Sequence, residues 1–436
     1  MLVWTRNLRA GAAAISVLAA VPGNVYGDGM ETWSVHAQGT VIEQWHEGYG
    51  ASYSGLNSLN SSREDKHTAT TTIFIGRRLW PGGEIYYNPE VTQGTGLSDT
   101  VGAAGFPNGE ATRAGAKTPE YNTARLLVRQ TFALGGATEA TSSDQNQLAG
   151  VRPTERLTFT LGKLSAADIF DTNSYSHDSR TQFLNWALMS NGAWDFPADT
   201  KGYTGGFAAE WTQATRTLRY GAFLEPQEAN GRPLDHHVNR ALGYVFEWEE
   251  RYTIDGHAGV LRPFVYWNRA RMGSYAAAVR LAVPDVTLTR SYRSKVGAGL
   301  NWEQELAKGA GVFARAGFND GRNETWAFTK IDRTVSAGVS VKGKCWARAD
   351  DTFGLALLAN GLSAEHRRYL AAGGAGFIVG DGRLAYTPEE IFETYYDWKP
   401  VAWLALAANY QFVKHPAYNR ARGPVSVFAV RAHVGF

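Results

Sequence analysis

Arg113, Asp168, Asp171, Asn173, Asp178 and Trp186 fall in stretches rich in Gly, Asn, Asp and Trp, where no regular pattern of apolar residues runs. Their types suit one kind of chemistry. A sugar presents a ring of hydroxyls, which exchange hydrogen bonds with charged and amide groups. It also presents an apolar C–H face, which packs on an aromatic ring. Arg, Asp and Asn beside Trp therefore describe a path for sugars in which no bond is made or broken. The plainer reading of the same residues is that they cap loops or, for Trp, sit at a lipid interface. Arg77, Arg78, Arg125 and Arg129 are further candidates for the path.

Bond-making chemistry finds less support. Asp350 with Asp351, and Glu389, Glu390 and Glu393, could supply the paired carboxylates of glycoside hydrolysis. Adjacent carboxylates in a strand point to opposite faces, however, and 41 acids produce such clusters by chance. His236 and His237 lie in a turn-like stretch and lack the helical i, i+4 spacing of a zinc site. Cys345 is the single cysteine, which excludes a disulfide framework and any site built from several thiolates. Neither a G-x-S-x-G elbow nor a phosphate-cradling G-x-x-x-x-G-K-[ST] loop occurs. The reading is a protein that is not an enzyme and needs no metal or cofactor. With 43 Lys and Arg against 41 acids, the chain is also too neutral to favour nucleic acid.

The elements that would position a sugar path show in the alternation. Phe428, Val430, Ala432, Val434 and Phe436 alternate with Ala429, Arg431, His433 and Gly435. A period of two sends the two sets to opposite faces of a strand. The same pattern places Val296, Ala298, Leu300 and Trp302 on one face, and likewise Val335, Ala337, Val339 and Val341. Leu157, Phe159 and Leu161 repeat it, as do Leu404, Leu406, Ala408, Tyr410 and Phe412. Arg125 and Arg129 share parity with Leu127 and Thr131, while Ala124, Leu126, Val128 and Phe132 form the more apolar set. An arginine on a lipid face at mid-depth costs about 2–4 kcal/mol, so the arginine set is assigned to water.

Before these strands comes a different signal. Arg6 and Arg9 precede a twelve-residue apolar run from Ala10 to Val21, and Val25-Tyr26-Gly27 suits a cut before Asp28. Twelve helical residues rise about 18 Å, too little for a hydrocarbon core of about 30 Å, so residues 1–27 read as an export signal. No later window is apolar enough for a membrane helix, but a closed β-barrel also satisfies its backbone in lipid. Residues 28–436 number 409. At roughly 25 residues per strand with its connections, they make about 16 strands in one domain. The expected fold is all-β: a transmembrane antiparallel barrel with short periplasmic turns, longer extracellular loops and an aqueous lumen narrowed by in-folded loops. Residues 93–109 and 168–194 are the loops expected to fold in.

Several stretches then carry a family resemblance. Gly76 to Glu90 (GRRLWPGGEIYYNPE), Gly105 to Glu110 (GFPNGE) followed by Arg113, and Asp144 to Gly150 (DQNQLAG) resemble the carbohydrate-selective porin (OprB) family. So do Asp168 to Asn173 (DIFDTN), Tyr369 to Gly374 (YLAAGG), Gly380 to Gly382 and Pro416 to Val425 (PAYNRARGPV), in order along nearly the whole mature chain. Ala421, where the pattern leads one to expect an acid, and the pair Lys414-His415 depart from it beside the last turn. The resemblance implies a sixteen-stranded barrel in the Gram-negative outer membrane. It would pass glucose and similar sugars down their gradient through a cationic eyelet of arginines and aromatics, with Arg113 and Trp186 the best positions. Lipids and the barrel-assembly machinery, which would read the last strand ending at Phe436, are the implied partners. Monomer and trimer both fit. The alternatives are a general or organic-acid porin of the same barrel type and a secreted carbohydrate-binding β protein.

Overall fold

The structure is a computed structural model that describes residues 30–111, 115–328 and 330–436. Residues 1–27 and Arg113 lie outside the described residues. Sixteen antiparallel strands, from β1 (Trp33–His46) to β16 (Val425–Gly435), form one closed barrel. Closure is made by β16 on β1, in register from Gln38 opposite Gly435 to His46 opposite Val427. A closed sheet leaves no edge, so every strand finds hydrogen-bond partners on both sides within lipid.

Connections alternate in length, and the sequence sets the short ones. Asp255 and Gly256 join β8 (Leu242–Ile254) to β9 (His257–Ala270) with φ of 50° and 82°. Two successive left-handed residues make the turn whose twist matches a hairpin, and Asp-Gly adopts it readily. At the opposite end the connections run over residues 47–63, 95–119, 165–203, 225–241, 271–292, 320–332, 362–388 and 415–424. Short turns lie on the periplasmic side of such barrels and long loops on the outside. Trp33, Trp80, Trp211, Trp398 and Trp403 are exposed near the short-turn end, and Tyr121, Trp267 and Phe318 near the other. They form the two aromatic girdles of a membrane barrel.

The alternation read from the sequence is the alternation of faces. In β16, Phe428, Val430 and Ala432 are exposed outward, whereas Arg431 is buried within and pairs with Asp397 at 3.1 Å. In β12 (Arg333–Gly343), Val335 and Ala337 face out, and Thr334 and Ser336 are buried. Lumen-facing Lys295, Asn301 and Glu303 in β10 (Arg293–Ala307) alternate with exposed Val296 and Leu300.

The lumen is filled unevenly. Residues 165–203 fold into it and are mostly buried. Phe170, Phe183, Trp186, Trp194 and Phe196 of this loop join a core with Phe223, Phe264 and Phe313 from the wall and Phe106 from the preceding loop. Apolar residues thus have two destinations, the lipid outside and a plug inside, which is why so many strands carry aromatics on both faces.

Candidate functional site

A row of acids on the inner wall holds the plug. Glu393 of β14 (Glu389–Val401) accepts the backbone N–H of Leu184 at 2.5 Å and of Asn185 at 3.0 Å. Glu389 accepts from Ala104 at 2.9 Å, Gly105 at 2.7 Å and Ala417 at 2.8 Å. Glu303 takes the N–H of Ser174 at 2.6 Å, and Glu247 that of Asp171 at 2.7 Å. A buried loop carries backbone donors that no ladder satisfies, and a carboxylate accepting two or three of them fixes its path. The two inward loops also bond to each other, Trp186 N to Phe106 O at 3.1 Å and Gly109 N to Leu184 O at 2.7 Å. The acids Glu389 and Glu393, which looked like possible catalytic partners, are loop anchors, and Glu390 points away to Lys414.

Beside the plug a channel of about 1300 Å³ runs along the wall from β1, past β2 (Glu64–Trp80) and β7 (Arg216–Leu224), to β8, between the short-turn residues Pro81 and Gly82 and the loop residues Lys201 and Phe328. Two unlike surfaces line it beside the inward loops. One is aromatic: Phe106 stacks on Trp186 with centroids 5.3 Å apart, and Phe328 lies 4.8 Å from Trp186 and 5.2 Å from Phe196. The other is ion-paired. Arg180 donates from Nε to Glu110 at 2.8 Å and from Nη2 to Glu90 at 3.1 Å. Thr70 and Thr72 donate to Glu110 and Glu90 at 2.7 and 2.9 Å, and Tyr203 donates to Glu90 at 3.0 Å. Burial opposes the charge on Arg180, yet Glu110 and Glu90 outweigh it and raise its pKa well above the ordinary value. Burial, followed by Glu90, pushes the Tyr203 phenol far up, so it stays a donor.

The expected site residues scatter over this arrangement. Trp186 opens a short helix, Trp186–Met189, and lies in the aromatic wall. Asp168 lines the channel in a two-point pair with Arg125, at 2.7 and 2.5 Å, and the Arg125 guanidinium lies 5.5 Å over the Tyr203 ring. Asp178 lines the channel too, accepting from Arg180 N at 3.0 Å and Thr181 Oγ1 at 2.9 Å. Arg129 faces the lumen nearer the short turns, 4.9 Å over Tyr86. Asp171 and Asn173 do not reach the channel lining. Asp171 is sealed against Arg315 at 3.1 Å, and Asn173 donates to Asn301 at 2.7 Å, so both secure the loop to the wall.

Arg77 is on the outer face, correcting its assignment to the lumen: neighbours in a strand alternate, and it is Arg78 that lines the channel. The Arg77 guanidinium lies 4.8 Å over Trp33 at the aromatic girdle, where a long cation can reach the interface. A cationic eyelet is likewise not observed among the described residues. Nine Lys and Arg side chains line the channel with eight acids, and Arg125, Arg180 and Lys201 each pair with one or two acids.

Glu90, Glu110, Arg180, Tyr203, Phe106, Phe196 and Phe328 were not singled out from the sequence. Glu90 had a signal, because it shares a face with Glu84, Tyr86 and Asn88 in β3 (Gly83–Gly94). Arg180 and Tyr203 had none, since their positions depend on the fold of a 39-residue connection between Leu164 and Thr204.

A closed sixteen-stranded barrel with a channel narrowed by inward loops defines an outer-membrane porin. The carbohydrate-selective porin, OprB family, model matches residues 75–436, so this chain belongs to that family. A Pseudomonas putida OprB structure at high pH is similar with a TM-score of 0.72 and 14% identity, over 93% of this chain and 94% of that one. The low-pH structure of Pseudomonas putida OprB gives a TM-score of 0.51 at 12% identity over 93% of each chain. No curated protein sequence matches the chain. The protein is a carbohydrate-selective porin of the Gram-negative outer membrane.

Proposed function

We propose that the channel passes glucose and similar monosaccharides and small oligosaccharides by passive diffusion, with no chemical step. The observation that carries this reading is the aromatic wall of Phe106, Trp186 and Phe328 in the same constriction as the Arg180–Glu110–Glu90 and Arg125–Asp168 pairs. A sugar's C–H face would pass along the exposed edge of this cluster, in which Trp186 itself is only 6% exposed, while its hydroxyls borrow hydrogen bonds from the ion pairs. Each net hydrogen bond is worth about 0.5–1.5 kcal/mol, weak enough for exit to keep pace with uptake. Organic acids, the competing solutes, would be favoured by unpaired cations, and among the described residues Arg125, Arg180 and Lys201 have acids against them.

Export by residues 1–27, assembly through the strand that ends at Phe436 and lodging among outer-membrane lipids complete the reading. Phe436 exchanges backbone hydrogen bonds with Ala37 at 2.9 and 3.2 Å, so the final residue takes part in closure. The test is a planar-bilayer titration of single channels with glucose. Occupancy of the constriction should lower ion current saturably, and the effect should weaken in Trp186→Ala. A current unaffected by molar glucose would overturn the reading.

A further inference from the structure

The barrel's β4 (Glu120–Thr141) and β5 (Gly150–Leu164) overrun their neighbours at the periplasmic end. Pairing of β3 with β4 ends at Gly83 opposite Gln130, and pairing of β5 with β6 (Thr204–Thr212) ends at Arg156 opposite Thr212. Beyond these points the two strands pair only with each other, from Ala133 opposite Arg156 to Thr141 opposite Gly150. The register shifts twice around Gly135, and Gly135 and Gly136 have φ of 131° and 78°, values open to glycine. A bulge with such residues bends a hairpin sharply.

The bend brings the tip back into the barrel mouth. Its tight turn, closed by Asp144 and Gln147, carries Gln145 to Gln38 of β1 at 3.0 Å and Asn146 to Asn88 of β3 at 2.9 Å. Arg129 donates to Asn146 O at 3.0 Å. Glu31 holds the base of the tip: its carboxylate accepts from Ser143 Oγ at 3.0 Å and Ala149 N at 2.7 Å, and its backbone N donates to Ala149 O at 3.1 Å. Gln145, Asn146, Gln147 and Leu148 therefore line the channel on the periplasmic side of the eyelet and close beneath it: Asn88 is two residues from Glu90 on one face of β3, and Gln38 pairs with Thr72, which donates to Glu90.

We propose that this latched hairpin is a second constriction in series with the eyelet, and that it selects solutes by length. It rests on the reading of the channel as a sugar path. The eyelet reads one ring at a time, through contacts with its face and hydroxyls. The strap limits the room for a second and third ring emerging behind the first, because its tip is fixed to three walls, β1, β3 and β4. Nothing in the strap distinguishes a hexose from an amino acid of equal size, so it sets the cut-off and not the chemical preference.

The experiment replaces residues 142–149 by Asn-Gly and compares conductance and liposome swelling with the unaltered protein. Folding is checked by the mobility shift of unheated barrels in detergent gels. Single-channel conductance should rise about twofold, and trisaccharide uptake should rise more than glucose uptake, with the ratio of glucose to amino acid unchanged. A folded variant with unaltered conductance and trisaccharide uptake would overturn the proposal. Should the shortened chain not fold, Glu31→Ala releases the latch alone and should give larger open-channel current fluctuations; a quiet, unaltered current contradicts the proposal equally. An unaltered protein that admits glucose and amino acids at equal rates would sink the sugar reading, while a conductance change in the shortened protein would still stand for the constriction.

Discussion

Arg180 is the residue on which the eyelet's charge turns. It holds Glu90 and Glu110 together, at 3.1 and 2.8 Å. Arg180→Gln leaves two carboxylates facing the channel without their cation, so the reversal potential in a salt gradient should move toward cation selectivity. An unshifted potential would remove Arg180 from the ion path. Asp178 contributes to the pH response of the same loop. Burial raises its pKa, but Arg180, the Arg180 backbone N–H and the Thr181 hydroxyl prevail and hold it below the ordinary value of 3.8. A depressed carboxylate pKa contributes stability above the unfolded-state value of about 3.9 and loses it as pH falls through the folded value. His177 nearby is shifted down, by burial first and then Arg315, and so is neutral at neutral pH. Loss of the Asp178 contribution should make the conductance steps unstable below about pH 4. Steps that stay steady down to about pH 3 would contradict this assignment. At this scale the sequence is only partly legible. Trp186 and Asp168 are found by residue type, whereas Glu90 shares parity with Glu84, Tyr86 and Asn88 but was not singled out. Arg180 and Tyr203 acquire their meaning only when a long loop turns inward.

The elements divide into a wall that was readable and a plug that was not. Strand faces follow from a period of two because lipid and lumen impose opposite polarity on neighbouring residues. The sets built on Phe428, Val335, Val296 and Leu404 carried that signal, and Arg77 went astray only because it was grouped with Arg78 without the same parity test. The plug has no such period. Its path depends on Glu247, Glu303, Glu389 and Glu393 presenting carboxylates to loop N–H groups far away in sequence. Glu393→Ala orphans the N–H groups of Leu184 and Asn185, at about 1–3 kcal/mol for each buried donor left unpaired. The barrel should still form, because its ladders are untouched, while the loop that carries Trp186 loosens. Higher and noisier conductance in a folded barrel is the expected result; wild-type current steps would show that Glu393 does not hold the loop.

For the whole molecule, the controlling fact is that the barrel has two solvents. Ala337 lies outward at the centre of β12, and an arginine placed there near mid-depth should cost about 2–4 kcal/mol in denaturant unfolding from lipid vesicles. A cost close to zero would place the apolar set somewhere other than lipid. Length and alternation, with residues 1–27 read as an export signal, were enough for the closed sixteen-stranded architecture. Chemical preference was not contained in them, since it comes from how the plug sits against one side of the lumen. The central claim is that this asymmetric channel favours sugars, and liposome swelling measures it most directly. Proteoliposomes bearing the protein should admit glucose faster than amino acids of equal size. Equal rates would leave a porin-type barrel whose eyelet does not recognise sugar.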